Sequence, residues 1–174
     1  MNECTLTSIN EIMNNYSQRT GIELLLVGLG IKRGDCIDWL KQTNPDFMNK
    51  TLKIINKSGS MNLFTAKDNK FNQVYYYNKQ NTSKDLIYMM KSLGQFNDSL
   101  VRFTEATFYQ IPLCCIIADE FNKSIKEPMP MTEHYWCKPD CKASKRIQQE
   151  YTQAVMTYLP EYAHLTKKSL IDLY

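Results

Sequence analysis

The sequence predicts a mainly α-helical protein, and three observations lead to this fold class. Apolar residues recur every three or four positions over most of the chain, which is typical of helices with one buried face. Helix-capping residues precede several of these segments, and Gly or Pro follows them. The helical period is lost over residues 61–78, where a β-hairpin is expected. We therefore predict about seven helices and one hairpin, in a single domain that spans residues 1–174.

The first two predicted helices lie before residue 32. Ser8 and Glu11 match a capping box, apolar residues follow on one face, and Gly21 is expected to end the helix. Residues 22–31 are apolar on nearly every side, which indicates burial but does not separate a helix from a short central strand. We favour a helix there, and a strand would make the fold α+β, the alternative class.

Two further helices precede the hairpin. Asp35 is placed to cap a short helix. That helix would contain Cys36, Ile37, Trp39 and Leu40. Asn44 followed by Pro45 is a stronger start signal for the next helix, because proline is favoured at the first helical position. The segments on either side of the polar turn 67–70 are rich in aromatic and β-branched residues, and they predict the two strands of the hairpin.

The C-terminal half is expected to be helical apart from a proline-containing loop at residues 127–133. The predicted helices cover residues 83–94, 97–112, 113–125 and 143–160, and a last helical turn is centred on Leu170. Thr82 or Ser83 is expected to cap the first of these helices and Asn97 the second. Pro112 should kink or end its helix because proline lacks an amide hydrogen. Residues 113–125 are apolar enough to predict a separate, buried helix, and residues 143–160 are the clearest amphipathic segment of the chain.

The composition favours an intracellular protein. Residues 1–20 are polar and lack the basic and apolar regions of a signal peptide. The longest apolar run, residues 21–31, contains a glutamate and is about half as long as a membrane helix. Six cysteines are too few for a disulfide framework in 174 residues, so reduced thiols are expected. We expect a cytoplasmic or nuclear location, no secretion and no membrane association.

A candidate metal site follows the helix predicted at 113–125. His134, Cys137 and Cys141 supply an imidazole and two thiols within eight residues, and His164 is the candidate fourth ligand. The spacing does not match a standard zinc finger, because the two cysteines are separated by three residues and His164 would have to fold back. The sequence therefore predicts either no cofactor or one structural zinc ion.

Positive charge is concentrated in the same part of the chain. Lysine and arginine side chains there could contact phosphates, and adjacent aromatic rings could stack on bases. The candidates for nucleic-acid binding are Lys138, Lys142, Lys145, Arg146, Tyr135 and Trp136. Lysines at a helix N-terminus oppose the helix dipole, which adds slight support for a functional reason for their position. An ordinary solvated helix face is the more common explanation of such a run of charge.

The predicted hairpin carries a second pair of aromatic candidates, Tyr75 and Tyr77, on either side of Tyr76. Aromatic rings beside lysines are typical of surfaces that bind single strands. Successive residues of a strand face opposite sides, so either Tyr76 or the Tyr75/Tyr77 pair is expected to pack on the helices while the other side is exposed.

No catalytic motif is evident. Gly28, Gly30 and Gly34 have one residue too many for a dinucleotide-binding fingerprint, and the chain has no P-loop. Its two histidines are not placed by any pattern next to a nucleophile. The sequence therefore favours a protein without enzymatic activity.

Two functions remain open. The first is binding of single-stranded RNA or DNA through the basic helix and stacking aromatics. The second is that of an adapter, encoded by a virus or a mobile element, that docks on a partner protein through exposed aromatic and methionine side chains such as Met129 and Met131. The net charge of +3 favours an anionic partner only weakly, and the oligomeric state is open.

Overall fold

The computed structural model describes residues 3–37, 44–67, 72–127 and 129–173, and its centre is a three-stranded antiparallel sheet with helices on both faces. The strands are β1 (Gly34–Ile37), β2 (Met61–Lys67) and β3 (Asn72–Asn78). The α-helices in the described ranges are α1 (Glu3–Asn15), α2 (Gln18–Gly28), α3 (Pro45–Lys57), α4 (Lys84–Lys91), α5 (Asp98–Phe108), α6 (Leu113–Glu120) and α7 (Lys142–Tyr158). Short 3-10 helices cover Leu93–Gln95, Pro160–Lys167 and Leu170–Leu173. The fold is mainly helical, and the predicted hairpin is confirmed.

Strand β1 occupies residues that the sequence analysis assigned to a short helix. It pairs with β3, and Cys36 lies opposite Tyr75. The helix predicted after Asp35 is therefore wrong at Cys36 and Ile37, whereas Trp39 and Leu40 lie outside the described residues. The capping signal at Asp35 is local, and the backbone hydrogen bonds to a strand distant in sequence outweigh it.

The central strand is β3, and both of its faces are covered. Tyr76 packs on the larger core, which includes residues of α1, α2, α3 and α7, while Tyr75 packs on a smaller core with α4 and α5. Both side chains are buried, and Tyr77 is half-buried against the smaller core. The expectation that one side of this triplet is exposed is wrong, because helices cover both faces of the sheet.

Helix α2 explains the apolar run in residues 22–31. The run is helical as far as Gly28, which confirms the helix prediction, and residues 22–28 are all buried. The helix contacts α1, α7 and two strands of the sheet. Because packed elements surround residues 22–28 of α2, this part of the helix has no solvent-facing side that would have to be polar.

The boundary between α1 and α2 differs from the prediction. Ser8 lies inside α1, where its hydroxyl donates to the carbonyl four residues earlier. The break falls before Ser17, whose Oγ accepts a hydrogen bond from the amide of Thr20 at 3.1 Å. Gly21 lies within α2, and a Cβ added there would be 2.1 Å from Cγ of Met13. The glycine therefore permits a close approach of the two helices and does not end one.

The other helix boundaries largely follow the local signals. The side chains of Asn44, Ser83 and Asn97 each accept a hydrogen bond from an amide in the first turn of the helix that they precede. Helix α7 spans the predicted amphipathic segment and ends just before Pro160. None of the described helices combines the length and the apolar content that are needed to cross a bilayer.

Helix α6 is shorter and more exposed than expected. Cys115 is its one buried residue, whereas Leu113 and Ile117 are 55% and 48% exposed. Phe121, which follows the helix, is 67% exposed. The prediction of a buried helix is wrong because α6 packs through its cysteine side and leaves most of its larger apolar side chains in solvent.

Candidate metal centre and basic surface

Four cysteine thiols meet beside the start of α7, and they come from two parts of the chain. Cys114 and Cys115 lie in the first turn of α6. Cys137 belongs to the loop that follows, and Cys141 is the residue immediately before α7. The four Sγ atoms lie within 4.8 Å of one another. This group, called the four-cysteine centre below, could hold a metal ion.

The spacing of the sulfur atoms suits tetrahedral coordination. The Sγ atom of Cys141 is 3.7 Å from that of Cys114 and 3.8 Å from that of Cys115. The Sγ atoms of Cys114 and Cys115 are 4.0 Å apart. Four sulfurs bonded to zinc at about 2.3 Å would be about 3.8 Å apart in a regular tetrahedron. All six cysteines are free, so the centre has the spacing of a metal site and no disulfide.

Hydrogen-bond donors surround the thiols. The backbone N–H of Cys137 points to Sγ of Cys115 at 3.4 Å. The hydroxyl of Ser144, on the first turn of α7, lies 3.2 Å from Sγ of Cys115 and 3.4 Å from Sγ of Cys141. Such donors stabilise thiolates, which are the form of cysteine that binds metals.

The acidities of the two buried thiols differ. Burial raises the pKa of the Cys115 thiol to about 12, despite its contact with Ser144. Burial also acts to raise the pKa of Cys141, but hydrogen bonds from the hydroxyl and the backbone of Ser144 and from neighbouring thiols outweigh it and lower that pKa to about 6. Of these two thiols, Cys141 is therefore the more readily deprotonated near neutral pH, and a bound cation would favour the thiolate form of both.

A buried tryptophan holds the loop between α6 and α7. Trp136 is 1% exposed, and its Nε1 donates to Oγ1 of Thr132 at 3.3 Å. Its carbonyl accepts a hydrogen bond from the amide of Ile125 at 2.7 Å. The side chain shares a small apolar core with Cys115 and Cys141. Trp136 therefore supports the four-cysteine centre, and its ring is not accessible for stacking on bases.

Neither histidine of the predicted ligand set belongs to the four-cysteine centre. His134 is buried, and its Nε2 lies 3.0 Å from Oγ of Ser144. Burial lowers the pKa of His134 to about 4, so the ring is neutral at pH 7. His164 is exposed in the 3-10 helix Pro160–Lys167. Cys137 and Cys141 are thus in the group as expected, whereas the other two members are Cys114 and Cys115.

The sequence analysis placed residues 113–125, which include Cys114 and Cys115, in a buried helix and missed the place of these two cysteines in the centre. Adjacent cysteines in an apolar stretch carry no spacing motif, and the loop that returns to them contains about twenty residues. A usable signal was nevertheless present, because a pair of adjacent cysteines and a pair separated by three residues together supply the four ligands of a closed tetrahedral site.

The basic candidates are all on the surface next to the centre. Lys142, Lys145 and Arg146 are exposed on the first turns of α7, and Lys138 is exposed in the preceding loop. Arg146 donates to Glu150 at 2.9 Å, and Lys138 lies 3.7 Å from Asp140. Within the described ranges, no ion pair is recorded for Lys142 or Lys145. We refer to these four residues as the basic surface.

The remaining aromatic candidates are only partly accessible. Tyr75 is buried, and its hydroxyl donates to Glu105 at 3.0 Å. Tyr77 is half-buried in the sheet. Tyr135 is also half-buried, and the ammonium of Lys126 lies 5.2 Å from its ring centre. The aromatic residues chosen from the sequence therefore do not form a stacking platform with the basic surface.

A second group of potential metal ligands, made of three carboxylates, surrounds the ammonium of Lys32. Carboxylate oxygens of Glu23, Asp35 and Glu133 lie within 4.8 Å of one another. The ammonium of Lys32 forms ion pairs with all three, at 3.9 Å from Glu23 and 2.9 Å from Glu133. Because the ammonium is fully buried among these carboxylates, it takes the position that a metal ion would need.

Comparison with known proteins finds no family model that matches the chain, and no curated protein or solved structure that is significantly similar to it. In the described part of the chain, the four-cysteine centre and the adjoining basic surface are the candidate functional features. One is a cluster of four thiols, and the other is a group of four exposed cations, of which Lys138 and Arg146 have a carboxylate nearby.

Proposed function

We propose that the protein binds single-stranded RNA or DNA without catalysing a reaction, through the basic surface, and that a structural zinc ion on the four-cysteine centre holds this surface in place. The observation that carries the proposal is the position of Cys141, which is both a member of the centre and the residue immediately before α7. A metal ion bonded to the Sγ atom of Cys141 would hold the first turn of α7 in a defined position.

The coupling between the metal centre and the basic surface is short. The carbonyl of Cys141 accepts the hydrogen bond of the Lys145 amide at 2.9 Å, and Ser144 contacts two of the sulfur atoms. Lys142 and Lys145 therefore lie on the same helical turn as the residues that contact the centre. A metal bound there would orient them before nucleic acid arrives, which reduces the entropy lost on binding.

A structural role suits this centre better than a catalytic one. Catalytic zinc keeps a coordination position open for water or substrate, whereas four cysteines complete the tetrahedron. Ligands made only of thiolates favour zinc or iron–sulfur chemistry over magnesium or calcium. The ion would be bonded to thiols from both α6 and the loop. These bonds would hold α6 in place, although the helix has little apolar packing of its own.

Electrostatics supports an anionic partner at this surface. Two of the four cations have a nearby carboxylate partner, at Asp140 and Glu150, and both pairs are exposed. Exposed pairs contribute little stability and are easily exchanged for phosphate contacts. Binding of three to four phosphates would release about as many counterions, so affinity should fall steeply with salt concentration.

The test is fluorescence anisotropy with labelled single-stranded RNA and single-stranded DNA, on protein whose metal content has been measured. We expect Lys142→Glu combined with Lys145→Glu to weaken binding at least about tenfold and to lower the log–log salt slope by about two. The matched control is Lys53→Glu combined with Lys57→Glu, two exposed lysines on α3. Both variants change the net charge equally.

Metal analysis of the same variants separates two roles of the lysines. A zinc ion with four thiolates is doubly negative, so nearby lysines also offset its charge. The proposal requires the Lys142/Lys145 variant to keep its zinc and lose its affinity. Absence of binding by the unaltered protein at low salt, or equal losses in the two variants, contradicts it.

The second candidate function is that of an adapter for another protein, and one observation favours it. Leu113 and Ile117 of α6 and Phe121, which follows the helix, form an exposed row at helical spacing. The apolar face of an amphipathic helix of a partner is the occupant that suits such a row. Met131 is fully buried and does not contribute, although Met129 is half-buried near the four-cysteine centre. Ile117→Glu with Phe121→Glu should abolish partner capture and leave nucleic-acid binding unchanged if this function is correct.

A further inference from the structure

A groove of about 640 Å³ lies beside the basic surface, between α5, α6 and α7. Its apolar walls come from all three helices and include Phe103, Leu113 and Ile147. Arg146, a member of the basic surface, lines it as well. A volume in this range is typical of sites for small organic groups. The basic surface and the groove are therefore continuous.

The groove contains an aromatic ring of the kind that the basic surface otherwise lacks. Phe103 is 42% exposed on α5, and it is the aromatic residue among the described residues that line the groove. Trp136 and Tyr75 are buried, so they cannot stack on a base. A partly exposed ring beside lysines and arginines is the combination that single-strand binding uses.

Positive charge predominates in the lining. Arg33 and Arg146 both line the groove, and Glu150, which accepts a hydrogen bond from Arg146, is the carboxylate among the described lining residues. The Arg33 guanidinium is oriented by a hydrogen bond from Nη1 to the carbonyl of Thr107 at 2.9 Å. Phosphate is complementary to this arrangement, because guanidinium groups bind it through several N–H donors.

Gln110 adds a polar group whose side-chain oxygen is not satisfied. Its backbone has a φ of 66°, which places it in the left-handed region, and its side chain lines the groove. In the part of the chain that the structure describes, Oε1 of Gln110 is buried without a hydrogen-bond partner. Each nucleic-acid base carries an N–H donor on its pairing edge. This donor would satisfy the covered oxygen once the Gln110 side chain turns toward the groove.

We propose that the groove seats one unpaired base of the bound single strand, with its ring stacked on Phe103, its pairing edge at Gln110, and the flanking phosphates at Arg33 and Arg146. This assignment rests on the proposed nucleic-acid binding and adds the position at which a base is held. The charge of the lining favours nucleotides over the apolar segment of a partner protein, which is the alternative occupant.

The test compares Phe103→Leu with Tyr88→Leu, using labelled single-stranded oligonucleotides and a salt series. Leucine keeps an apolar side chain and removes the aromatic ring, and Tyr88 is a matched control because it is 74% exposed on α4. We expect Phe103→Leu to weaken binding about fivefold or more with an unchanged salt slope, since stacking is lost while phosphate contacts remain. The control should change affinity less than about twofold.

Further measurements make each outcome decisive. Circular dichroism and zinc content of Phe103→Leu must match those of the unaltered protein, and ultraviolet cross-linking with 5-iodouridine should attach the label to α5 in the unaltered protein. If charge reversal at Lys142 and Lys145 weakens binding but Phe103→Leu does not, and the cross-link lies elsewhere, the base seat is wrong and the proposed function stands. If the unaltered protein binds no oligonucleotide, both are wrong.

Discussion

The ammonium of Lys32 lies 2.9 Å from a carboxylate oxygen of Glu133, although 101 residues separate them in the sequence. Lys32 is fully buried in the turn between α2 and β1, and Glu133 belongs to the loop before α7. Asp35 and Glu23 complete the ring of carboxylates around the ammonium, and Arg19 pairs with Glu23 at 2.7 Å. This network joins the N-terminal half of the fold to the loop that carries the four-cysteine centre.

The first prediction concerns the ammonium at the centre of this network. Replacing Lys32 by Met should lower the free energy of unfolding by about 3–5 kcal/mol, because it leaves three buried carboxylates without their shared cation. Denaturant unfolding measures the change. Lys50→Met is the control, since Lys50 pairs with Asp46 at 3.4 Å on the surface and should cost less than about 1 kcal/mol. Equal losses would show that the buried network does not stabilise the fold.

The second prediction concerns pH. Burial, together with the nearby charge of Asp35, raises the pKa of Glu23 to about 8. The pKa of glutamate in an unfolded chain is about 4.3. Between about pH 4.3 and pH 8, the folded chain therefore keeps a proton on Glu23 that the unfolded chain has released. The free energy of unfolding falls as pH rises through this range, by at most about 1.4 kcal/mol per pH unit.

Comparison with Glu23→Gln isolates this contribution. The other titrating groups are common to both proteins, so the unaltered protein should lose stability relative to the variant as pH increases from 5 to 8. Urea unfolding at several pH values measures the difference. A constant difference, or one of opposite sign, would mean that Glu23 is ionised in the folded chain throughout this range.

The third prediction concerns the metal. We expect one zinc ion per chain, and Cys114→Ser should lose it, whereas Cys4→Ser should keep it because Cys4 is an exposed thiol outside the centre. Loss of zinc should lower the melting temperature by about 10 °C or more, since metal binding contributes directly to folding. Elemental analysis and calorimetry provide the two measurements. Zinc retained by Cys114→Ser, or iron in its place, contradicts the assignment.

The fourth prediction concerns the packing of β1 on α5. A Cβ at Gly34 would lie 2.2 Å from Cζ of Phe108, so Gly34→Ala should destabilise the fold by about 1–3 kcal/mol through overpacking. The double variant Gly34→Ala with Phe108→Leu should recover part of the lost stability, because the added methyl group and the Phe108 ring would occupy the same space. Gly59→Ala is the control for the substitution itself.

Gly59 isolates the backbone effect from the steric one. It has a φ of +70° with no atom within 4 Å of an added Cβ, so alanine there should cost about 1 kcal/mol from the left-handed backbone alone. Phe108→Leu should give no recovery in Gly59→Ala. Recovery in both double variants would contradict the steric explanation for Gly34.

The sequence by itself determined those elements whose signals are local. The caps at Asn44, Ser83 and Asn97, the loss of helical period over residues 61–78 and the amphipathic segment of α7 each depend on neighbouring residues, and the structure agrees with all of them. Cys137 and Cys141 were identified as possible ligands for the same reason, since their separation is visible along the chain.

Only the tertiary structure decided which residues meet across long distances in sequence. It paired β1 with β3, covered both faces of the tyrosine triplet, and left the apolar row of α6 exposed. It also brought Cys114 and Cys115 to Cys141 and buried Trp136 beneath them. Periodicity and spacing describe a segment and its nearest neighbours, whereas burial and ligand sets depend on the segments packed against it, and their positions are set by the fold as a whole.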